Sequence, residues 1–204
     1  MLYPRVARVG DIDKLVNDNQ MVSYGEHLAQ EHRILRLSGA ITGEFAFHDF
    51  LMSMDSPSVN PKHESIKIII TSPGGDLDAT FLLIDTMRLI QSPIITIGRY
   101  CASAACLILA SGDERYLYPH AKTMLHLATG AMGGDYKDFA IQHKLMVSYQ
   151  DKIVDILTEA GVKNSRDEIL EDIDRDFWLD PQEAIDYGLA DKVMKPEIWE
   201  KWIE

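Results

Sequence analysis

Two short runs about thirty residues apart hold residue types that could do chemistry together. Ser72-Pro73-Gly74-Gly75-Asp76 closes an apolar stretch in a tight glycine turn. Cys101-Ala102-Ser103-Ala104-Ala105 sets one serine among small residues, where a second apolar stretch gives way to a helix. A serine hydroxyl is a poor nucleophile at neutral pH and needs a base within hydrogen-bond reach, itself oriented by a third group. A glycine turn facing such a serine can aim backbone N–H groups at a developing oxyanion. Together these parts suit acyl transfer. Each also has a plain structural use: Ser103 is a good helix N-cap, and Pro-Gly-Gly is a common turn.

The chain has seven histidines. His126 stands apart because it ends the apolar run Thr123-Met124-Leu125, where a core strand is expected. A lone histidine there serves equally as a satisfied core residue. His27, His32, His48, His63, His120 and His143 lie in polar contexts and read as surface. Acidic candidates crowd one segment, Glu168, Glu171, Asp172, Asp174, Asp176 and Asp180, which reads either as a solvated loop or as the source of an orienting carboxylate. Asp172, Asp174, Asp176 and Glu183 also fall at calcium-loop spacing, but Phe177 stands where the sharp turn needs glycine and Pro181 interrupts the loop. Phosphate-loop and dinucleotide glycine patterns are absent. No metal and no cofactor are expected.

The elements around these runs argue for a mostly parallel sheet. Ile66 to Thr71 is a β-branched apolar run, the mark of a strand buried on both faces. Asp76 or Asp78 can cap the helix that follows, to Ile90. Ile94 to Gly98 predicts a second buried strand, and Ser103 opens a short helix to about Ala110. Strand, helix, strand, helix with short links implies parallel pairing. Upstream, His32 to Ser38 predicts a strand, Phe45 to Met54 a helix, and Ser56 to Glu64 a loop. Arg115 to Tyr118 and Lys122 to His126 predict two further short strands. From Asp135 to Ala160 no proline or glycine interrupts a helical pattern carrying Phe139, Met146, Val147, Ile153, Val154 and Leu157, and Gly161 ends it. That helix would span about 39 Å, enough to project and pack on another subunit. A short helix is expected near Ile12 to Leu15.

The 204 residues suffice for one domain with a sizeable core. A net charge of −12 argues against a nucleic-acid partner and an anionic membrane surface. No run approaches a membrane span, and the first residues show no secretory signal. Cys101 and Cys106, five residues apart, suit neither a disulfide framework nor a metal knuckle, so a reducing, cytoplasmic setting is expected.

The string Ser72-Pro73-Gly74-Gly75, Ala102-Ser103-Ala104-Ala105, Met124-Leu125-His126, Asp174-Arg175-Asp176-Phe177 and Glu183-Ala184-Ile185-Asp186-Tyr187-Gly188-Leu189-Ala190-Asp191 resembles the proteolytic subunit of Clp protease over roughly residues 31–195. The last stretch is the most specific piece. The resemblance implies an α/β fold of the Clp-protease/crotonase type, a stacked βαβ spiral with a long projecting handle helix, in a single peptidase domain over residues 31–204. It implies Ser103 as nucleophile, His126 as general base and then acid, Asp176 as orienting carboxylate, and the N–H groups of Gly75 and Ala104 as oxyanion hole. Gly130, Gly133 and Gly134 would belong to the strand that pairs with an extended peptide. Implied partners are further copies of the chain in a ring, expected as a double heptamer, an AAA+ unfoldase, and unfolded protein substrates. Residues 1–30 would supply an axial or partner-contact segment. The chain departs from the family pattern at Ala104-Ala105, where Met-Gly is usual, and at Leu127-Ala128, where Gln-Pro is usual. Alternatives are an inactive scaffold subunit of a mixed ring, a crotonase-type acyl-CoA enzyme with Asp76 as base, and signal-peptide or capsid-maturation proteolysis on the same fold.

Overall fold

The β-branched run Ile66–Ser72 forms a buried inner strand of a six-stranded sheet. The computed structural model describes residues 28–29, 31–43, 47–163 and 165–203. Apart from Leu28 and Ala29, the N-terminal segment and its expected helix lie outside them. In chain order the elements are β1 (Ile34–Ser38), α1 (Phe47–Asp55), β2 (Ile66–Ser72), α2 (Leu77–Leu89), β3 (Ile94–Ala102), α3 (Ala104–Ala110) and β4 (Glu114–Leu125). There follow α4 (Tyr136–Glu159), α5 (Arg166–Asp172), β5 (Phe177–Leu179), α6 (Pro181–Tyr187), β6 (Lys192–Val193) and α7 (Pro196–Ile203).

Strands β1 to β4 lie side by side and parallel. β5 runs antiparallel along the end of β4, and β6 pairs parallel near its start. The larger core packs β2, α2, α3 and the C-terminal part of α4 together. A smaller cluster on Ile34, Ile69, Ile95, Ile97 and Tyr116 is covered by Trp199 and Trp202 of α7.

Two strands differ from expectation. β3 continues to Ala102, and the two short strands expected at 115–118 and 122–126 are one twelve-residue strand, β4. Pro119 suggests a break because proline cannot donate to a ladder. The register resolves it: Gly98 faces Leu117, and the next pair is Tyr100 with Lys122. Pro119 therefore sits in an irregularity that carries no ladder bond, while both flanks stay in the sheet. His126 lies one residue past β4, not within a core strand.

The long helix forms as expected. Asp135 is its N-cap, its carboxylate accepting from the N–H groups of Lys137 and Asp138, and Asp138 returns the bond to complete a capping box. Gly161, at φ 88°, supplies the left-handed residue beyond its C-cap. Twenty-four residues span about 36 Å. Ile153, Val154, Ile156 and Leu157 are buried, whereas the N-terminal half leaves Tyr136, Phe139, Ile141, Leu145 and Val147 exposed.

Candidate active site

β3 delivers Ser103 to the N-cap position of α3, but the side chain does not act as a cap. Its backbone stands at φ 55°, ψ −128°, a region that costs a non-glycine residue of order 1–3 kcal/mol. The conformation is held from both sides. The Ser103 N–H donates to the Met124 carbonyl at 2.7 Å, and the Cys106 N–H donates to the Ser103 carbonyl at 2.9 Å. Oγ is thereby turned off the helix axis and lies 2.7 Å from Nε2 of His126. With Nε2 unprotonated, the hydroxyl donates to it. The side chain faces the imidazole and makes no cap bond to α3.

The glycine turn is built against that serine. Ser72 Oγ accepts from the Gly74 N–H at 3.1 Å and tightens the turn. A Cβ on Gly74 (φ 89°) would stand 2.6 Å from the Ala102 carbonyl oxygen and 2.8 Å from Ser103 Cβ. Gly75 (φ 150°) is equally constrained, since a Cβ would lie 2.0 Å from the Ile41 carbonyl oxygen. Ile41 clamps the turn by donating its N–H to Gly74 and accepting from the Asp76 N–H, both at 2.9 Å. Sequence reasoning missed Ile41, because nothing in a lone isoleucine outside the strands announces a bridge to residue 75. Among the described residues, the N–H groups of Gly75 and Ala104 have no acceptor. Both line one small pocket with Ser103, Leu125, His126 and Ile153. Asp76, the base a crotonase reading would need, is instead the N-cap of α2, accepting from the Ala79 N–H at 2.8 Å.

Asp176 is exposed, and no hydrogen bond joins it to His126 among the described residues. Its backbone is nonetheless well placed. β5 pairs Leu179 with Thr123, Trp178 with Met124 and Phe177 with Leu125, where the ladder ends, so Asp176 and His126 are each the first residue past it. Beyond the ladder the Leu127 N–H donates to the Ile173 carbonyl at 2.9 Å. Asp172 accepts from the Tyr187 hydroxyl at 3.1 Å, and Asp174 is exposed beside Arg175.

Both thiols are free and buried. Burial pushes Cys106 up to about 12 and Cys101 well above its ordinary value, so both remain protonated at neutral pH. Cys106 Sγ donates to the Cys101 carbonyl at 2.9 Å, a packing role.

The segment from Gly130 to Gly134 is exposed and belongs to no strand. Gly133 is engaged by α4: its N–H donates to Gln142 Oε1 at 3.0 Å, and its carbonyl accepts from Gln142 Nε2 at 2.7 Å. Nearer the site, the Ala128 N–H donates to Gln150 Oε1 at 2.8 Å. Both residues that depart from the resembled pattern after His126 therefore use backbone N–H groups, and a proline at 128 would lack its own. Gln142 and Gln150 were not found from sequence, where polar residues on a long helix read as a solvated face.

Comparison with known proteins follows the same line. A family model described as Clp protease matches residues 17–197. The chain belongs to the Clp protease family. It is 33% identical over 175 residues to ATP-dependent Clp protease proteolytic subunit 2 of Tropheryma whipplei, covering 82% of this chain and 93% of that one. Proteolytic subunit 1 of Protochlamydia amoebophila is 31% identical over 189 residues, covering 90% and 91%. Proteolytic subunit 1 of Rhodopirellula baltica is 33% identical over 170 residues, covering 82% and 74%. Clp membership makes the chain a serine-type peptidase, and the α/β sheet with its handle helix is the fold of that family. Among the described residues no helix is long and apolar enough to cross a membrane, and no group of His, Cys, Asp or Glu could hold a metal ion.

Proposed function

We propose that this Clp-family chain is a serine endopeptidase working through Ser103, His126 and Asp176, with the N–H groups of Gly75 and Ala104 as oxyanion hole. The observation that carries the reading is the 2.7 Å approach of Ser103 Oγ to His126 Nε2, made by a serine whose strained backbone denies it the capping role. Ser103 Oγ attacks the scissile carbonyl carbon as its proton passes to Nε2. The carbonyl π pair moves to oxygen, where the two free N–H groups receive the charge. Collapse expels the amine, protonated by His126, and leaves an ester on Ser103. Water, deprotonated by His126, then releases the acid and restores the hydroxyl. Asp176, the residue next past β5 as His126 is next past β4, orients the imidazole once its carboxylate turns toward Nδ1.

Residues 31–204 form the peptidase domain, and residues 1–30 the axial or partner-contact segment. The exposed apolar half of α4 is the surface on which further copies assemble into a ring chamber, as a double heptamer. An AAA+ unfoldase feeds that chamber with unfolded protein in the cytoplasm, in keeping with the ATP-dependent Clp protease names of the relatives. The capping role of Asp76 favours this reading over acyl-CoA chemistry, and the intact Ser103–His126 pair favours it over an inactive scaffold.

A fluorophosphonate probe tests the core of the proposal on the assembled protein. Ser103 is expected to be labelled, and His126→Ala to slow labelling by about 10²-fold or more, the usual worth of a general base. A wild-type protein that stays unlabelled while a control serine hydrolase reacts would overturn it.

A further inference from the structure

Helices α2 and α4 meet along one seam of side chains. The Tyr149 hydroxyl donates to the Asp78 carboxylate, its oxygen 2.9 and 2.8 Å from the two carboxylate oxygens. Lys152 Nζ lies 5.2 Å above the Phe81 ring, and that ring meets the Tyr149 ring with centroids 5.9 Å apart. Arg88 donates to Glu159 at 2.6 Å. The pairs 78–149, 81–152 and 88–159 are each 71 residues apart. The two helices therefore run parallel and in register over about 15 Å. On each helix the three positions follow i, i+3, i+10 spacing and share one face.

The Asp78 end of the seam borders the site. Leu77, next to Asp78, and Ile153, one turn past Tyr149, both line the pocket that holds Gly75, Ser103 and His126. The first turn of α2 is bound to Asp76 as a unit. The Asp76 carboxylate accepts from the Ala79 N–H at 2.8 Å, and its carbonyl accepts from the Thr80 N–H at 3.1 Å and hydroxyl at 2.7 Å. Asp78 lies in that turn, and Gly75 precedes Asp76 directly. A shift of the turn is thus passed to the Gly75 peptide unit. Ile41 holds the unit on one side, accepting from the Asp76 N–H at 2.9 Å, and Tyr149 holds the turn from the helix side.

We propose that Tyr149 and Asp78 are positioning residues for the oxyanion hole: their hydrogen bond fixes the first turn of α2 against α4 and so keeps the Gly75 N–H aimed beside Ser103. This rests on the peptidase reading above. Neither residue touches a reacting atom. A displaced donor weakens binding of the charged tetrahedral intermediate and leaves ground-state binding of the peptide unchanged, so the loss falls on kcat.

Tyr149→Phe tests this, because it removes the hydroxyl and keeps the ring against Phe81 and Lys152. It is expected to lower kcat for a reporter peptide about three- to tenfold, the worth of one net hydrogen bond, with KM little changed. A peptide boronate, whose tetrahedral adduct on Ser103 offers an oxygen to the same donors, should bind more weakly by the same factor. Asp78→Ala should match Tyr149→Phe, and the double variant should be no worse than either. Asp78→Asn, whose carboxamide oxygen still accepts, should recover most of the rate. Glu159→Gln loosens the far end of the seam and should leave kcat at the wild-type value. An undiminished kcat in Tyr149→Phe overturns the proposal, as do additive losses in the double variant or an equal loss in Glu159→Gln, the mark of a merely structural seam. Should Tyr149→Phe fail to assemble, the Asp78 pair carries the comparison, and equal rates for Asp78→Ala and Asp78→Asn overturn it. Fluorophosphonate labelling separates the two readings. An unlabelled wild type fails the peptidase reading, whereas a labelled wild type with an undiminished Tyr149→Phe fails this inference alone.

Discussion

Ser103 is chemically ordinary and conformationally unusual. Its type and neighbours suit a helix cap as well as a nucleophile. What separates the two uses is a backbone at φ 55° that turns Oγ toward His126. For the carboxylate proposed to orient His126, Asp176 is the residue next to the β5 end of the ladder as His126 is next to its β4 end, whereas Asp172 is engaged by Tyr187 and Asp174 lies two residues farther from that ladder. Asp176→Asn should therefore fold normally and lower kcat by roughly 10²–10⁴-fold, by leaving the imidazole in the wrong tautomer. Asp174→Asn should leave the rate near wild type. Steady-state cleavage of a reporter peptide by the two variants checks the assignment, and the reverse pattern would shift it to Asp174.

The helices and strands hold the site by contacts remote from it. Asp55, the last residue of α1, accepts from the N–H groups of Gln91 and Ser92, from Ser92 Oγ at 2.5 Å and from His63, and so ties α1 to the link between α2 and β3. Burial alone would raise its pKa; the bonds from Ser92, Gln91 and His63 outweigh it and hold the carboxyl at about 2, against 3.8 ordinarily. A carboxyl with a depressed folded pKa stabilises fully above its unfolded value and loses that stabilisation as pH falls. Unfolding free energy measured in denaturant should drop by about 1–2 kcal/mol between pH 5 and pH 2 through this group. Asp55→Asn should flatten that part of the acid dependence, and a variant with the wild-type slope would show that other carboxylates carry it.

For the molecule as a whole, the unusual feature is α4. Its C-terminal turns are in the core, and its first half carries apolar side chains into solvent, Ile141 at 68% exposure and Leu145 at 50%. Those two are one turn apart and make one patch. This exposed apolar patch is the assembly surface proposed above. Ile141→Glu with Leu145→Glu should leave each subunit folded while shifting sedimentation toward smaller species and lowering peptidase activity in parallel. Unchanged sedimentation would place the assembly surface elsewhere.

The amino-acid sequence alone determined what local physics governs. β-Branched runs made β2 and β3, Asp135 and Gly161 bounded the long helix, and the order of Ser72–Gly75, Ser103, His126 and Asp176 marked the family and the candidate chemistry. Strand ends were less readable, because Pro119 looks like a break until the shift between β3 and β4 is known. Only the folded chain placed Ile41 against Gly75 and brought Gln150 and Gln142 onto the backbone of Ala128 and Gly133. These contacts join residues from different elements, or from a helix and the loop laid along it. They depend on register and packing direction, which no single segment encodes.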